Sequence, residues 1–482
     1  MDLNQSLANV KTEALVTILN QLVTTRLIQK PLLSKVKKEL YQKIVEEGPG
    51  LRAVKEKKYY FLDAMLTGAI KNVAKGYIST DVTRKIIKDL VAGALLGGNN
   101  SEDIKQAFKK KYGEMPPHFL VISPTINCNK RCEGCYAAVG KEQVVSLPYS
   151  VLDKMLEEAH DKFGCRFITV SGGEPFMYRD GNKTLFDLWE KYNDIYFLVY
   201  TNGSLITPEA ARKLAELGNV TPGISVEGFK KETDKRRGEG TFEEILTAFK
   251  NLREAGVPFG ISATATRQNA EVLMKEKFFK FYFDEQGASY MWQFQLMPIG
   301  KGRDVMGSML TPEQRVKLYK VWAHQIKDKK RCVADFWNAG VLSNGCVAYG
   351  GNSGYLYIDW NGNIMPCVFV PYYVDNIKDL QAQGKGLTDA MFSKFFKRGR
   401  AWQKEYGVDN VDKPHNWLMP CSIRDHFENF KKNIYCEGVK PENTDAALAI
   451  KSKEYEEEMK KFDTTLAKLT DPIWEKDYLK KK

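Results

Sequence analysis

From Phe119 onward the chain alternates short apolar runs with longer stretches of mixed polarity. The runs are Phe119-Leu-Val-Ile-Ser123, Arg166-Phe-Ile-Thr-Val170, Tyr196 to Tyr200, Val220 to Val226, Phe259 to Thr266 and Met291 to Met297. Each is rich in β-branched and aromatic residues and short enough for a buried strand. An amphipathic helical pattern follows each, as in Tyr149 to Phe163. Six such βα units in series predict a parallel sheet, which right-handed crossovers curl round.

The flanks read differently. Residues 1–115 predict several helices: Leu33, Val36, Leu40 and Ile44 share one face between Pro31 and Gly48, then Leu62, Leu66, Ile70 and Val73, then Val82, Ile86, Leu90 and Val91. Past the barrel, Tyr355 to Asp359 and Asn363 to Met365 flank Trp360-Asn361-Gly362, and the Asn-Gly pair predicts a tight hairpin turn. Glu454 to Lys461 predicts a surface helix ahead of a lysine tail, with Trp474 either packed on the body or touching lipid.

Chemistry enters with Cys128, Cys132 and Cys135, spaced C-x3-C-x2-C just past the first run. Three thiolates on one short loop can hold three irons of a four-iron cluster and leave the fourth iron open to an outside ligand. Structural zinc is the competing reading, but it normally recruits a fourth Cys or His at nearby spacing, and none lies close by. At the end of the second run stands Ser171-Gly172-Gly173-Glu174-Pro175, where glycines permit close backbone approach and a carboxylate can accept from an ammonium group.

The triplet, followed one βα unit later by Gly-Gly-Glu-Pro, resembles the radical S-adenosylmethionine (SAM) superfamily. The resemblance implies an α/β fold, a partial (β/α)6 barrel with chemistry at the C-terminal ends of its strands. It implies a SAM-binding [4Fe-4S] cluster on Cys128, Cys132 and Cys135, and SAM contacts from Gly172, Gly173, Glu174, Pro175, Asn202, Ser225 and Arg237. The family usually has an aromatic residue just before the third cysteine; this chain has Gly134 there and Tyr136 just after, so Tyr136 joins the cofactor candidates. Glu227 stands where an aspartate is common. Met297 to Gly302 is a further candidate for flanking the adenine.

Cys346, Gly362 and Cys367 (C-x15-G-x4-C), followed by Cys421, resemble the SPASM or twitch extension of these enzymes, a small cysteine-rich domain that holds auxiliary clusters. One auxiliary [4Fe-4S] cluster is expected on Cys346, Cys367, Cys421 and a fourth ligand: Cys436, Asp425, His426 or none. Cys165 and Cys332 are expected to be buried structural residues. The domains expected are a helical basic region (1–115), the barrel (116–330), the auxiliary domain (331–440) and a charged helical tail (441–482).

Composition narrows the setting. The chain has nine cysteines in 482 residues and no signal peptide, which points to a reducing, cytoplasmic compartment and metal ligation over disulfides. No run is long enough to span a membrane. Five histidines in no nucleophile motif leave hydrolysis little support. Residues 1–115 carry 20 Lys and Arg against 12 Asp and Glu, so they hold +8 of the net +12. Such helices can rest on the anionic inner face of the cell membrane, or pack on the barrel with solvated lysines. Nucleic acid is not an expected partner, since no RNA-binding motif accompanies the charge.

Gly223-Ile-Ser-Val-Glu-Gly228, Trp292 to Gly300, Met365-Pro-Cys-Val-Phe-Val370 and Pro420-Cys421 with Asp425-His426 look like tetraether and membrane-spanning lipid synthases. That resemblance implies a lipid substrate, alkyl chains joined through a C–C bond, and a low-potential electron donor such as ferredoxin or flavodoxin. The rival readings are a maturase of ribosomal peptides, a decarboxylase of the haem pathway, and a non-enzymatic iron–sulfur electron carrier.

Overall fold

All six apolar runs are strands of one sheet. In the computed structural model, which describes residues 29–98, 100–137, 145–299, 306–351, 354–409 and 411–480, β1 (Phe119–Ile122), β2 (Phe167–Val170), β3 (Tyr196–Thr201), β4 (Val220–Val226), β5 (Gly260–Ala265) and β6 (Met291–Gln295) pair in chain order, every pair parallel. Side chains alternate across it. Leu120, Ile168, Phe197, Val199, Ile224, Val226 and Ile261 are buried in the main core, each contributing about 1.5–3 kcal/mol by burial. Residues of opposite parity (Val121, Thr169, Leu198, Tyr200, Ser225, Ser262, Phe294) line the barrel interior.

The sheet is wider than six strands. β7 (Val333–Asp335) adds in parallel to β6, and β8 (Tyr355–Ile358) adds in parallel to β1 at the other edge, giving the order β7-β6-β5-β4-β3-β2-β1-β8-β9. β8 and the antiparallel β9 (Ile364–Met365) form the hairpin expected around Asn361-Gly362. The hairpin extends the barrel sheet. It covers the backbone edge that β1 would otherwise expose, and Tyr355 stacks on Phe119 at 4.9 Å.

The amino-terminal helices close the barrel's N-terminal end. They are α1 (Gln29–Tyr41), α2 (Arg52–Ala74), α3 (Thr80–Ile86, prolonged by a wider turn over Ile87–Leu95) and α4 (Ser101–Tyr112). Ser79 caps α3 by accepting from the Val82 amide, and its own N–H donates to Gly256 O (3.0 Å) just before β5. Asn72 Nδ2 donates to Gly287 O (2.8 Å) and Ser289 Oγ (3.0 Å) ahead of β6.

Much of the positive charge in this region is spent on packing: Lys71 pairs with Asp284 (2.5 Å), Lys37 and Lys330 with buried Asp63 (2.6 and 2.7 Å), and Lys58 donates to Asn344 (2.8 Å). No helix among the described residues is long and apolar enough to cross a membrane.

The carboxy-terminal helix is more than a surface tail. In α5 (Lys453–Ile473) Tyr455, Met459, Leu466 and Thr470 are buried. Trp474 beyond it stacks on Tyr478 at 4.6 Å and lies 6.0 Å from Trp417. Trp474 therefore packs on the body; it is 3% exposed and has no face for lipid.

Candidate active site

The cysteine triplet follows β1 at the C-terminal end of the sheet and is held from two sides. On one, Glu133 N–H donates to Arg236 O (2.9 Å) while Arg236 Nε donates to Glu133 O (3.0 Å). On the other, Asn129 accepts from Asn202 Nδ2 (2.8 Å) and donates to Ser204 Oγ (2.9 Å). The three thiols are half-buried and line one cavity. Burial pushes the Cys128 thiol up to about 11, against the pull of the Lys130 N–H that its Sγ accepts (3.4 Å). Among the described residues no three His, Cys, Asp or Glu side chains already stand in metal-binding geometry. The donor set fits a cluster in another respect: it is three soft thiols on one turn beside amide and guanidinium donors.

The glycines of Gly172-Gly173 serve this loop directly. A Cβ on Gly173 would lie 2.3 Å from Asn127 O, and one on Gly172, whose φ is +119°, 2.6 Å from Thr125 O. Without side chains there, Gly173 N–H donates to Thr125 O (2.8 Å) and Glu174 N–H to Asn127 O (2.7 Å), tying β2 to the start of the cysteine loop. Glu174 is fully buried. It accepts from Thr201 Oγ1 (2.7 Å), the Asn202 amide (2.8 Å) and the Phe176 amide (3.3 Å). Burial pushes its pKa up to about 7 against the pull of those donors. Pro175 opens the short helical turn that follows.

Glu227, which the sequence marks only as a departure from the common aspartate, organises the fourth strand's end. One oxygen, Oε1, accepts from Arg236 Nη1 (2.5 Å) and from Arg237 Nε and Nη2 (2.8 and 2.6 Å). Arg237 Nη1 points toward Cys132 Sγ at 3.9 Å. The arginine expected to meet a cofactor carboxylate thus also bridges Glu227 to the cysteine loop. A strand-ending acid followed by two adjacent arginines was the signal available in the sequence.

Tyr136 OH donates to Ser171 Oγ (3.2 Å) and accepts the Gly172 N–H (3.1 Å), so this side chain braces the glycine turn. Ser225 Oγ pairs with Ser262 Oγ (3.3 Å) at the cavity wall. Met297 lines the cavity. Gly300 to Gly302 lie outside the described residues.

That cavity, about 660 Å³, runs from the cysteine triplet through the barrel interior to the amino-terminal helices. At the C-terminal end of the sheet Ser171, Asn202, Ser225, Thr264 and Gln295 line it. At the other end Leu40, Leu66, Ile70, Leu90 and Val91 make most of the wall, with Thr83, His118, Thr221, Ser289 and Tyr290 among them.

The second cysteine set partly assembles as expected. Cys367 lies close enough to Cys346, and Cys421 to both, for charge on a neighbouring thiol to raise its own pKa. Each thiol accepts a backbone N–H: Cys367 from Phe369 (3.4 Å), Cys346 from Ala348 and Ser422, and Cys421 from Arg424. Tyr355 OH also donates to Cys367 Sγ (2.9 Å). Burial pushes the Cys367 thiol up to about 12. Cys436 is buried beside Tyr435 and Val439. Asp425 is not free to ligate, since both its oxygens bind Arg315 and it also accepts the Cys421 N–H (3.0 Å). His426 Nε2 binds Met419 O (2.9 Å), and its ring packs on Trp402 and Tyr406. Cys165 and Cys332 are buried, as expected of structural cysteines.

Residues 122–271 match the sequence profile of the Radical SAM superfamily. That segment contains the triplet, Gly172 to Pro175, Asn202, Ser225, Arg237 and strands β2 to β5. The Fe-coproporphyrin III synthase of Methanosarcina barkeri is 28% identical over 219 residues, 42% of this chain and 52% of that protein, so the chain spans about half that relative's length. The mycofactocin maturase MftC of Mycolicibacterium smegmatis is 28% identical over 325 residues, 65% of this chain and 76% of the maturase. The crystal structure of Streptococcus suis SuiB bound to S-adenosylmethionine aligns with a TM-score of 0.49 at 19% identity, covering 72% of this chain and 83% of SuiB. These relatives are not lipid synthases, and the resemblance to that group is not shown by them.

Proposed function

From a chain that carries a radical SAM domain over residues 122–271, we propose an enzyme that removes hydrogen from an unactivated carbon of a long apolar chain, most simply a lipid alkyl chain. The observation that supports this reading is the cavity, open to the cysteine triplet at one end and lined mostly by aliphatic side chains at the other. A methylene gains about 0.8 kcal/mol on leaving water, so ten of them gain about 8 kcal/mol. A peptide group that enters the aliphatic end without a partner loses about 2–7 kcal/mol. The balance favours hydrocarbon over peptide there.

Cys128, Cys132 and Cys135 would hold a four-iron cluster, which with SAM as its outside ligand would supply one-electron cleavage of SAM to methionine and a 5′-deoxyadenosyl radical. The chain's own residues do the rest. Glu174, buried behind the cavity wall, fixes Thr201 and Asn202, which line the cavity beside the cysteine loop. Arg237, oriented by Glu227, puts a guanidinium nitrogen beside Cys132. Tyr136 braces the Gly172 turn. The barrel wall holds the substrate along one axis and keeps water from the radical.

A second reading, suggested by the names of the relatives, gives only the polar upper half of the cavity to a peptide or a porphyrin. One anaerobic experiment separates the two. Reconstituted enzyme, SAM, a low-potential reductant and chain-deuterated phospholipid are combined, and 5′-deoxyadenosine and lipid are analysed by mass spectrometry. Deuterium in 5′-deoxyadenosine is the expected result, and a coupled lipid lighter by two hydrogen isotopes establishes C–C joining. Undeuterated 5′-deoxyadenosine leaves the radical chemistry standing and removes the lipid reading.

A further inference from the structure

One face of the molecule gathers positive charge that no carboxylate among the described residues pairs with. The last turn of α4 presents Lys109, Lys110 and Lys111, and the neighbouring helix α6 (Lys394–Gln403) presents Lys394, Lys397 and Arg398. All but Arg398 are exposed, none of the six is ion-paired among the described residues, and Arg398 Nη1 donates to Tyr435 O (3.3 Å). The nearest acid on α4's exit, Glu114, is already paired with Arg400 at 2.5 Å.

Two aromatic rings stitch the helices together within this face. Tyr112, one of only two large apolar side chains exposed among the described residues, stacks on Phe392 at 5.7 Å. Lys111 lies over the Tyr112 ring (5.1 Å) and Lys397 over Phe392 (5.6 Å).

Beneath the face lies the second cysteine set. A Cβ on Gly399 would lie 2.1 Å from the Tyr349 ring, so the α6 backbone rests directly on that ring. Phe395 and Phe396 meet Tyr349 edge-on at 6.2 and 6.5 Å. Tyr349 is fully buried and feels the charges of Cys346, Cys367 and Cys421. From the same helix, Gln403 Nε2 donates to Cys346 O (2.8 Å). A single aromatic layer therefore separates the basic face from the three cysteines.

We infer that the face formed by α4 and α6 is the docking surface for an acidic, low-potential, one-electron carrier protein, which passes its electron inward past Tyr349 to a cluster on Cys346, Cys367 and Cys421. This rests on the reading of those cysteines as cluster ligands. The carrier is oxidised by one electron and the cluster reduced by one, with no bond made or broken. Complementary charge steers such an encounter and makes it sensitive to salt. A protein suits this face better than a lipid surface: Phe395 and Phe396 turn inward, leaving no apolar stripe to insert, and none of the six cations lines the apolar cavity.

The test uses the full chain, reconstituted anaerobically, and follows cluster reduction by stopped flow with reduced ferredoxin or flavodoxin and, separately, with dithionite. Lys394→Glu/Lys397→Glu/Arg398→Glu, and independently Lys109→Glu/Lys110→Glu/Lys111→Glu, should each lower the carrier's second-order rate about tenfold or more and flatten its salt dependence. The dithionite rate should stay the same. An unchanged carrier rate in both variants overturns the proposal, as does an equal fall with dithionite. Loss of binding to anionic vesicles with an unchanged carrier rate assigns the face to a membrane instead. In Cys346→Ala the triplet's cluster should no longer be reduced by the carrier at the parent rate. A protein with Cys128, Cys132 and Cys135 all changed to Ala that holds no iron–sulfur cluster removes the underlying reading itself.

Discussion

Arg237 gives two hydrogen bonds to one oxygen of Glu227, while the other oxygen of that carboxylate, equally buried, has no partner. One carboxylate therefore pairs with two guanidinium groups, those of Arg236 and Arg237, and both of these hold the cysteine loop. Glu227→Gln keeps the shape and removes the charge. Leaving buried cations uncompensated costs about 3 kcal/mol. A fall in melting temperature is expected, together with loss of iron from a protein whose auxiliary cysteines have been removed; unchanged iron there would show that the pair does not support the loop.

Glu174 makes stability depend on pH. Its folded pKa, about 7, lies above the ordinary value of 4.5, so the folded protein keeps a proton that the unfolded chain has released. Stability therefore falls as pH rises from 4.5 to 7, by about 3 kcal/mol in all, and stays low above that. Melting curves of the cofactor-free protein between pH 5 and 8 should show this slope, and Glu174→Gln should flatten it.

The aliphatic end of the cavity can be filled from α2. Ala69 lines it beside Leu66 and Ile70. Ala69→Trp should reduce deuterium transfer from long-chain phospholipid at least about tenfold, a loss of about 1.4 kcal/mol in transition-state stabilisation. Cleavage of SAM without substrate should continue. Equal losses in both would point to general damage, and no loss in either would separate the helical end from catalysis.

Arg424 is fully buried beside Cys421, and its Nε and Nη2 have no partner. Its Nη1 meets only Leu296 O (3.3 Å) and Met297 Sδ (3.5 Å), and the adjacent Asp425 is committed to Arg315. A positive charge so placed stabilises the reduced, more negative state of a neighbouring iron–sulfur cluster. Arg424→Met should lower the auxiliary cluster's midpoint potential in a redox titration followed by electron paramagnetic resonance, and Arg424→Lys should restore part of the shift.

The strands β1 to β6 were legible because each is a short apolar run with β-branched or aromatic residues and an amphipathic helix behind it. β7 was not, since three residues, Val-Ala-Asp, carry no period. The hairpin turn at Asn361-Gly362 is local chemistry and could be read. The pairing of β8 with β1 is a contact between residues 236 positions apart, Phe119 and Tyr355, and only the folded chain brings them together. The same division runs through the site. Cys128, Cys132 and Cys135 share one loop and announce themselves by spacing. The use of Asp425 by Arg315 depends on two distant segments, which is why the sequence could offer Asp425 as a ligand. Charge misleads in the same way: +8 over residues 1–115 reads as a basic face, yet Lys37, Lys58 and Lys71 are consumed in internal contacts.

In most barrels of this general kind layered side chains fill the axis and form the core. Here the axis is hollow, and the main packing lies between the sheet's outer face and its helices. Whatever occupies the hollow completes the interior of the protein. Occupancy and folding are then thermodynamically linked: each kilocalorie of binding is a kilocalorie of resistance to unfolding. An empty barrel is the less stable form of the enzyme, and its rise in melting temperature across a series of apolar chains would rank them as occupants before any product is known.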